Sequence, residues 1–403
     1  MISDSKKLRN KQIQLNSLLE ITKAINLNFS RGQIFSIYEY VLRQQLKVDK
    51  LALFIYDQEW KCAVYYGAEP LRDDFDVQDY LIHIQEIRES KEYEQDALKE
   101  FELIIPVTHK NKALAFVLMG IPKGEVVVDE LVPFIQTLTN IVAVAIENKN
   151  LAKEQITQVG IKKEMEFAAE MQGMLFPSYL PKNRDVEIFA TYLPHREVGG
   201  DYYDYLRLIN FEFLICMADV SGKGVPAALM MSNFQANLHA LANQYNTLPK
   251  LVSQLNTRVN KTAKGEKFIT MFLGKFNSQT RELHYVNAGH NPPILFQNNE
   301  IIFLESGTTG LGMLDELPFV NEGKIHISPG SILLCYTDGV VELENEDGEQ
   351  YGIDALKRFL IENAEIGSME DFHKKLLEAF NRYRGGRDFV DDITLLSCRF
   401  MLL

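Results

Sequence analysis

MADVSGKGVPAAL, residues 217–229, is the stretch on which the reading of this chain turns. It follows the apolar run FEFLIC (211–216) and precedes a helical pattern. The order predicts a buried strand ending in the carboxylate of Asp219, a glycine-rich turn, and a helix near 225–243. Met230, Met231 and Phe234 fall on one face of that helix and are expected in the core. Gly222 or Gly224 can take positive φ, and both let backbone come close to an ion or a phosphate, as Gly199 and Gly200 would upstream. Gly222-Lys223-Gly224 is not a phosphate-cradling P-loop, because the spacing before it and the Ser or Thr after the lysine are missing. Ser221 does not sit in a GxSxG nucleophile elbow.

Outward from this stretch, three more aspartates close or adjoin apolar strands. They are Asp201 in EVGGDYYD (197–204), Asp338 in LLCYTDGVVE (333–342) and Asp391 in FVDDITLL (389–396). A carboxylate at the end of a buried strand is costly unless it is paired or bound to a cation. No Lys or Arg occupies a matching strand position in all four places, so the expected partner is a metal ion. Oxygen-only ligation selects Mg2+ or Mn2+ over zinc. Two such ions, ~3.5–4 Å apart, can activate a water and stabilise the entering and leaving oxygens of a phosphoryl transfer. VGGDYYD is not a diguanylate cyclase signature, since Tyr202-Tyr203 stands where that motif needs Glu-Phe.

Taken singly these motifs are common turns. In one order, EVGGDYYD, MADVSGKGVPAAL, NAGHNPPIL (287–295), TGLGML (309–314), YTDGVVELEN (336–345) and DDITLL (391–396) resemble the metal-dependent PPM serine/threonine phosphatases of the SpoIIE/RsbU-like branch, over about residues 165–400. The resemblance implies that Asp201 and Asp219 bind a metal pair, with Asp219 bridging. It further implies that the Val220 carbonyl is a ligand and that Asp338 and Asp391 complete the shell, with Asp392 ranked behind Asp391. Many family members hold the phosphate with an arginine that this branch usually lacks. Arg196 lies near the first motif but is not established as its equivalent, which leaves metals and peptide N–H groups to hold the phosphate. His290 in NAGH is read as a hydrogen-bonding turn residue rather than a general acid.

The sequence around these motifs predicts an α+β domain over 181–403, a β-sandwich flanked by helices, with helices near 225–243 and 248–264 between strands. Residues 1–150 read as a separate domain. Helices near 12–28 and 33–46 precede strands LALFIYD (51–57) and KCAVYYG (61–67), then a charged segment, 78–100, expected as a helix or mobile insertion. FELIIPVTH (101–109) and KALAFVLMG (112–120) read as a hairpin across Lys110-Asn111, and a long helix starts near Glu130. This order resembles a GAF-like sensory domain, which implies a five- or six-stranded antiparallel sheet and often a ligand or dimer contact. A helical linker and switch segment covers 151–180. Leu138, Val142, Ala145, Ala152, Ile156 and Val159 form a heptad-like seam interrupted by Lys149, so a homodimer through this domain and linker is expected. Phe167, Ala168, Met171 and Leu175 form an apolar face expected to pack on a partner helix or on the next domain.

The 403 residues fit two domains, and a formal charge of −13 with no basic run disfavours nucleic-acid binding, including a two-metal nuclease. Cys62, Cys216, Cys335 and Cys398 are far apart and are expected as buried reduced thiols. No apolar run reaches the ~20 residues of a membrane span, so the expected location is the cytoplasm. The resemblance implies hydrolysis of a phosphoserine or phosphothreonine, on a STAS-type anti-sigma-factor antagonist, by metal-activated water. An isolated catalytic domain is expected to need millimolar Mn2+, because water-rich sites hold the metal weakly. The alternative is a catalytically inactive signalling scaffold on the same fold.

Overall fold

The computed structural model describes residues 2–69, 71, 75–93, 98–109, 112–121 and 128–401. Internal contacts divide the chain into Met1–Gly160 and Ile161–Leu403.

In the first unit, helices α1 (Ile2–Asn26) and α2 (Arg31–Tyr40) precede β1 (Leu51–Asp57) and β2 (Glu59–Tyr66). Ser30 and Gln33 form a capping box that starts α2. A short helix α3 (Val77–Tyr80), β3 (Arg88–Glu89), β4 (Leu103–His109) and β5 (Lys112–Met119) follow, and then helix α4 (Val128–Gly173). The sheet is antiparallel in the order β2-β1-β5-β4-β3. Strand alternation sends Leu51, Leu53 and Ile55 into a core with Ile34, Tyr38, Ile135, Leu138 and Val142 of the helices. Ala52 and Phe54 face the other way, into a second core with Val77, Leu81, Ile84 and Phe101. The segment expected as a helix or mobile insertion is therefore packed through Leu81, Ile84 and Leu98, with only short helical turns, α3 and a 3-10 turn at Ser90–Glu92, and no long helix among its described residues. The Lys110-Asn111 link lies outside the described residues. The unit is a mixed α/β domain.

The second unit holds β6 (Val186–Leu193), β7 (Tyr202–Arg207), β8 (Glu212–Val220), α5 (Val225–Leu241), α6 (Leu248–Ala263), β9 (Ile269–Asn277) and β10 (Glu282–Ala288). After these come β11 (Ile294–Gln297), β12 (Glu300–Phe303), β13 (Gly307–Thr308), β14 (Gly323–His326), β15 (Ile332–Tyr336), α7 (Asp338–Val341), α8 (Gly352–Asn363), α9 (Met369–Arg384) and β16 (Ile393–Phe400). One sheet runs β13-β10-β9-β8-β7 with β14 also on β10, and the other runs β12-β11-β15-β16-β6. Ile215, Met217, Phe272, Phe276, Leu333, Leu396 and Phe400 from both sheets fill the space between them. Helices α5 and α6 cover the first sheet, with Met230, Met231 and Phe234 buried as expected. Helices α8 and α9 cover the second through Leu356, Leu360, Phe372, Leu376 and Phe380. Within this core, His373 is held by Thr191 and Ser397 at 2.8 Å each, and burial pushes its pKa down to about 3.

α4 runs unbroken into the expected helical linker and ends at Gly173. Two expectations change. Phe167 and Met171, expected to be covered, are exposed in this chain, whereas Gln172, Leu175 and Phe176 of the same segment pack within the second unit. The ring of Phe176 lies 4.8 Å from Tyr192 and 4.9 Å from Tyr203. Cys62 is exposed on β2, and only the other three cysteines are buried. Part of α4, within 130–173, is long and apolar enough to cross a membrane, but 56% of that window is buried inside the protein. That burial is what a core helix requires.

Candidate active site

Antiparallel pairing puts the end of β8 beside the start of β7, and the end of β15 beside the start of β16. Asp201 immediately precedes β7, Asp219 is the penultimate residue of β8, Asp338 opens α7 directly after β15, and Asp391 lies two residues before β16. Residues up to 190 positions apart thus meet at one end of the sandwich, within electrostatic reach of one another.

Asp201 is buried, and one carboxylate oxygen accepts hydrogen bonds from Thr337 Oγ1 (2.8 Å) and from Thr394 Oγ1. Burial first, and then the Asp219 charge, hold its pKa well above the usual carboxylate range. Burial, followed by the charges of Asp338, Asp391 and Asp392, pushes Asp219 up to about 7. Asp338 is raised as well, by burial and by Asp391, against the opposing charge of Lys223. Lys223 Nζ lies 2.9 Å from Asp391 Oδ2.

The donor chemistry fits a hard divalent cation: oxygen-only groups, crowded enough to resist ionising together. As the side chains stand, no group of three or more His, Cys, Asp or Glu residues among those described closes on a common metal position. The Val220 carbonyl points into the close approach between β8 and Gly200, where a Cβ on Gly200 would lie 2.8 Å from it and 3.3 Å from Asp219 Oδ1. Gly222 and Gly224 both have positive φ, 88° and 73°, so glycine is required at each.

The loop ahead of Asp201 is gripped from two sides. Asp392 Oδ1 accepts from His195 N (2.7 Å) and Oδ2 from Gly200 N (3.0 Å). The Gln172 side-chain amide donates to Gly199 O (2.7 Å) and accepts from Gly199 N (3.2 Å), mimicking a peptide partner. Asp392 is therefore occupied as a backbone clamp. Sequence reading missed this clamp, Gln172, Lys223 and the two threonines. YTDG and DDIT carried a signal for the last two, a hydroxyl beside each strand-end carboxylate.

The remaining candidates take structural places. His290 shares bonds with Asn287 at its backbone, and its Nδ1 lies 2.9 Å from Thr270 Oγ1. Thr270 is the cross-strand partner of Asp219, and burial lowers the His290 pKa to about 4, so the ring is neutral at neutral pH. Ser221 Oγ accepts from Phe268 N at 2.9 Å. Arg196 is exposed.

Gly339 exposes how tightly the end of the sandwich is packed: a Cβ there would lie 2.1 Å from Asp392 O and 3.3 Å from Asp391 Cβ. Gly339→Ala should displace the 391–392 backbone and cut hydrolysis about 100-fold. Steady-state kinetics and a Mn2+ titration check this, and turnover within about threefold of wild type would contradict it.

The family model for Stage II sporulation protein E (SpoIIE) matches residues 211–401. With the sandwich and its carboxylate end, this defines the class: the second unit has a PPM serine/threonine phosphatase fold of the SpoIIE/RsbU-like kind, and the protein is an enzyme, a hydrolase. Phosphoserine phosphatase RsbU of Bacillus subtilis is 29% identical over 249 residues, 60% of this chain and 71% of that protein. Protein IcfG of Synechocystis sp. is 28% identical over 278 residues, 62% of this chain and only 43% of that protein. Among solved structures, the SiaA-PP2C domain of Pseudomonas aeruginosa superposes with a TM-score of 0.54 at 22% identity, over 60% of this chain and 98% of that domain.

Proposed function

We propose that this protein removes phosphate from phosphoserine or phosphothreonine on a signalling protein, in a metal-dependent reaction at the carboxylate end of the sandwich. The observation that carries the reading is the placement of Asp201, Asp219, Asp338 and Asp391 at the adjoining ends of β7, β8, β15 and β16, where burial and neighbouring carboxylate charges oppose the ionisation of the first three. Such a cluster is held together against its own repulsion, as a cation site must be. Asp201, Asp219, the Val220 carbonyl, Asp338 and Asp391 would hold two Mn2+ or Mg2+ ions, with Asp219 shared between them. When bound, the ions supply a water acidic enough to attack phosphorus and charge to receive the leaving oxygen.

The chain's own groups prepare that chemistry. Thr337 and Thr394 fix one oxygen of Asp201 and so leave the other directed away from them. Asp392 and Gln172 hold the 195–200 loop, and Gly200 lets that loop approach the Val220 carbonyl. The likeness to RsbU and SpoIIE supports a STAS-type anti-sigma-factor antagonist as substrate. The five-stranded antiparallel sheet of the first unit, with helices against it, supports a regulatory, GAF-like role there, and the reading includes a homodimer through that unit and α4 and a place in the cytoplasm.

The test is phosphate release by the full chain from phosphoserine, phosphothreonine and phosphotyrosine peptides in millimolar Mn2+. Serine and threonine peptides should be hydrolysed, and EDTA should abolish turnover. A folded protein that binds Mn2+ yet releases no phosphate from any peptide would favour the scaffold alternative.

A further inference from the structure

The carboxylate cluster has a cation at its mouth. Lys223 Nζ sits 2.9 Å from Asp391 Oδ2, donates to Val390 O at 2.9 Å, and acts electrostatically on Asp338. Its side chain is 44% exposed, so the ammonium meets both the carboxylates and the solvent from which a substrate arrives. The turn that carries it is fixed by the positive φ of Gly222 and Gly224 and by Lys267, whose Nζ donates to Ser221 O at 2.7 Å. Lys267 is thus committed to the backbone of the turn, while Lys223 is committed to the cluster.

Charge decides what such a lysine is for. Two divalent ions would only balance the four strand-end carboxylates, leaving no net positive charge to receive a phosphate monoester, which carries about −1.5 to −2 at neutral pH. An ammonium at the rim supplies that charge where it is desolvated on one side and reachable on the other. Resting on the phosphatase reading above, we propose that Lys223 is the side chain that holds the phosphoryl oxygens of the substrate. In the absence of substrate it compensates Asp391. Once Asp391 is shared with a divalent ion, the ammonium turns a proton toward a phosphoryl oxygen. The lysine is then a phosphate-binding residue of the site, whereas Lys267 is held by the Ser221 carbonyl.

The full chain and its Lys223→Met and Lys223→Arg variants separate this role from that of a simple counter-ion. Inorganic phosphate titrated into the Mn2+-loaded proteins by calorimetry reads phosphate binding with no turnover required. Lys223→Met should weaken phosphate binding, and raise KM for p-nitrophenyl phosphate and a phosphoserine peptide, by about 10- to 100-fold. Lys223→Arg should recover most of both, and Mn2+ affinity in Lys223→Met should be unchanged or tighter, since a competing positive charge is gone. Unchanged phosphate affinity and KM in Lys223→Met would overturn the proposal. So would a loss of Mn2+ affinity large enough to account for the phosphate defect. Wild-type protein that binds phosphate through Lys223 but hydrolyses nothing would leave this inference standing and defeat the catalytic reading instead.

Discussion

Replacing Asp219 with Asn should make the metal-free protein more stable at pH 8 while abolishing hydrolysis. The carboxyl group titrates near 7 in the folded chain against an ordinary value of 3.8, because burial and the charges of Asp338, Asp391 and Asp392 oppose its ionisation. A carboxyl whose folded pKa is raised binds protons more tightly folded than unfolded, so its ionisation destabilises the fold. That penalty is absent below about pH 4, grows as pH rises toward the folded value, and is complete above it. At ~1.4 kcal/mol per pKa unit the full shift would be worth a little over about 4 kcal/mol, and because neighbouring carboxylates share the repulsion, relieving it at Asp219 is worth about 2–4 kcal/mol, or roughly 5–10 °C in the melting temperature of the second unit. The gain of Asp219→Asn over wild type should therefore appear between pH 4 and 7 and be full at pH 8. Millimolar Mn2+ should reverse the ranking, since an ion bound only by the folded wild type stabilises it. Turnover should fall at least about 1000-fold. Melting curves across pH with EDTA and with Mn2+ provide the check. A variant less stable than wild type at pH 8 in EDTA would show that Asp219 is paired and not repelled.

Asp392→Ala should behave differently from Asp391→Ala. The Asp392 carboxylate receives the peptide N–H groups of His195 and Gly200, and Gly200 is buried beside Asp201. Removing it strands two donors, at about 1–3 kcal/mol for each that water cannot reach. The loop that sets Asp201 is then loosened, and turnover should fall about 10- to 100-fold together with stability. Asp392→Asn retains one acceptor oxygen and should fall between alanine and wild type. Asp391→Ala removes a proposed ligand and strands one donor, the Asp392 N–H 2.9 Å from Asp391 Oδ1, so it should weaken Mn2+ binding with a smaller loss of stability than Asp392→Ala. Equal loss of Mn2+ binding in both alanine variants, with neither destabilised, would make Asp392 a ligand and remove its role as a clamp.

The strand-end aspartates are legible in the sequence because each is an exception to its surroundings: a charge at the end of an apolar run, such as Asp219 after FLICMA. A buried strand announces itself by composition, and a carboxylate closing it is costly wherever the strand lies, so that signal is local. The helix after Gly224 and the buried Met230, Met231 and Phe234 were legible for the same reason, since periodicity is a property of neighbouring residues. Tertiary structure alone decided which groups face these carboxylates. Asp391 and Asp392 are adjacent and identical in type, yet one meets Lys223 and the other clamps a loop nearly 200 residues upstream. Gln172 and Met171 are neighbours on one helix, yet the amide is buried against Gly199 while the methionine stays in water. Such partnerships depend on where β7, β8, β15 and β16 bring distant loops together. Sequence spacing carries the direction of a side chain along its own element, and only the assembled sheets determine what stands opposite it.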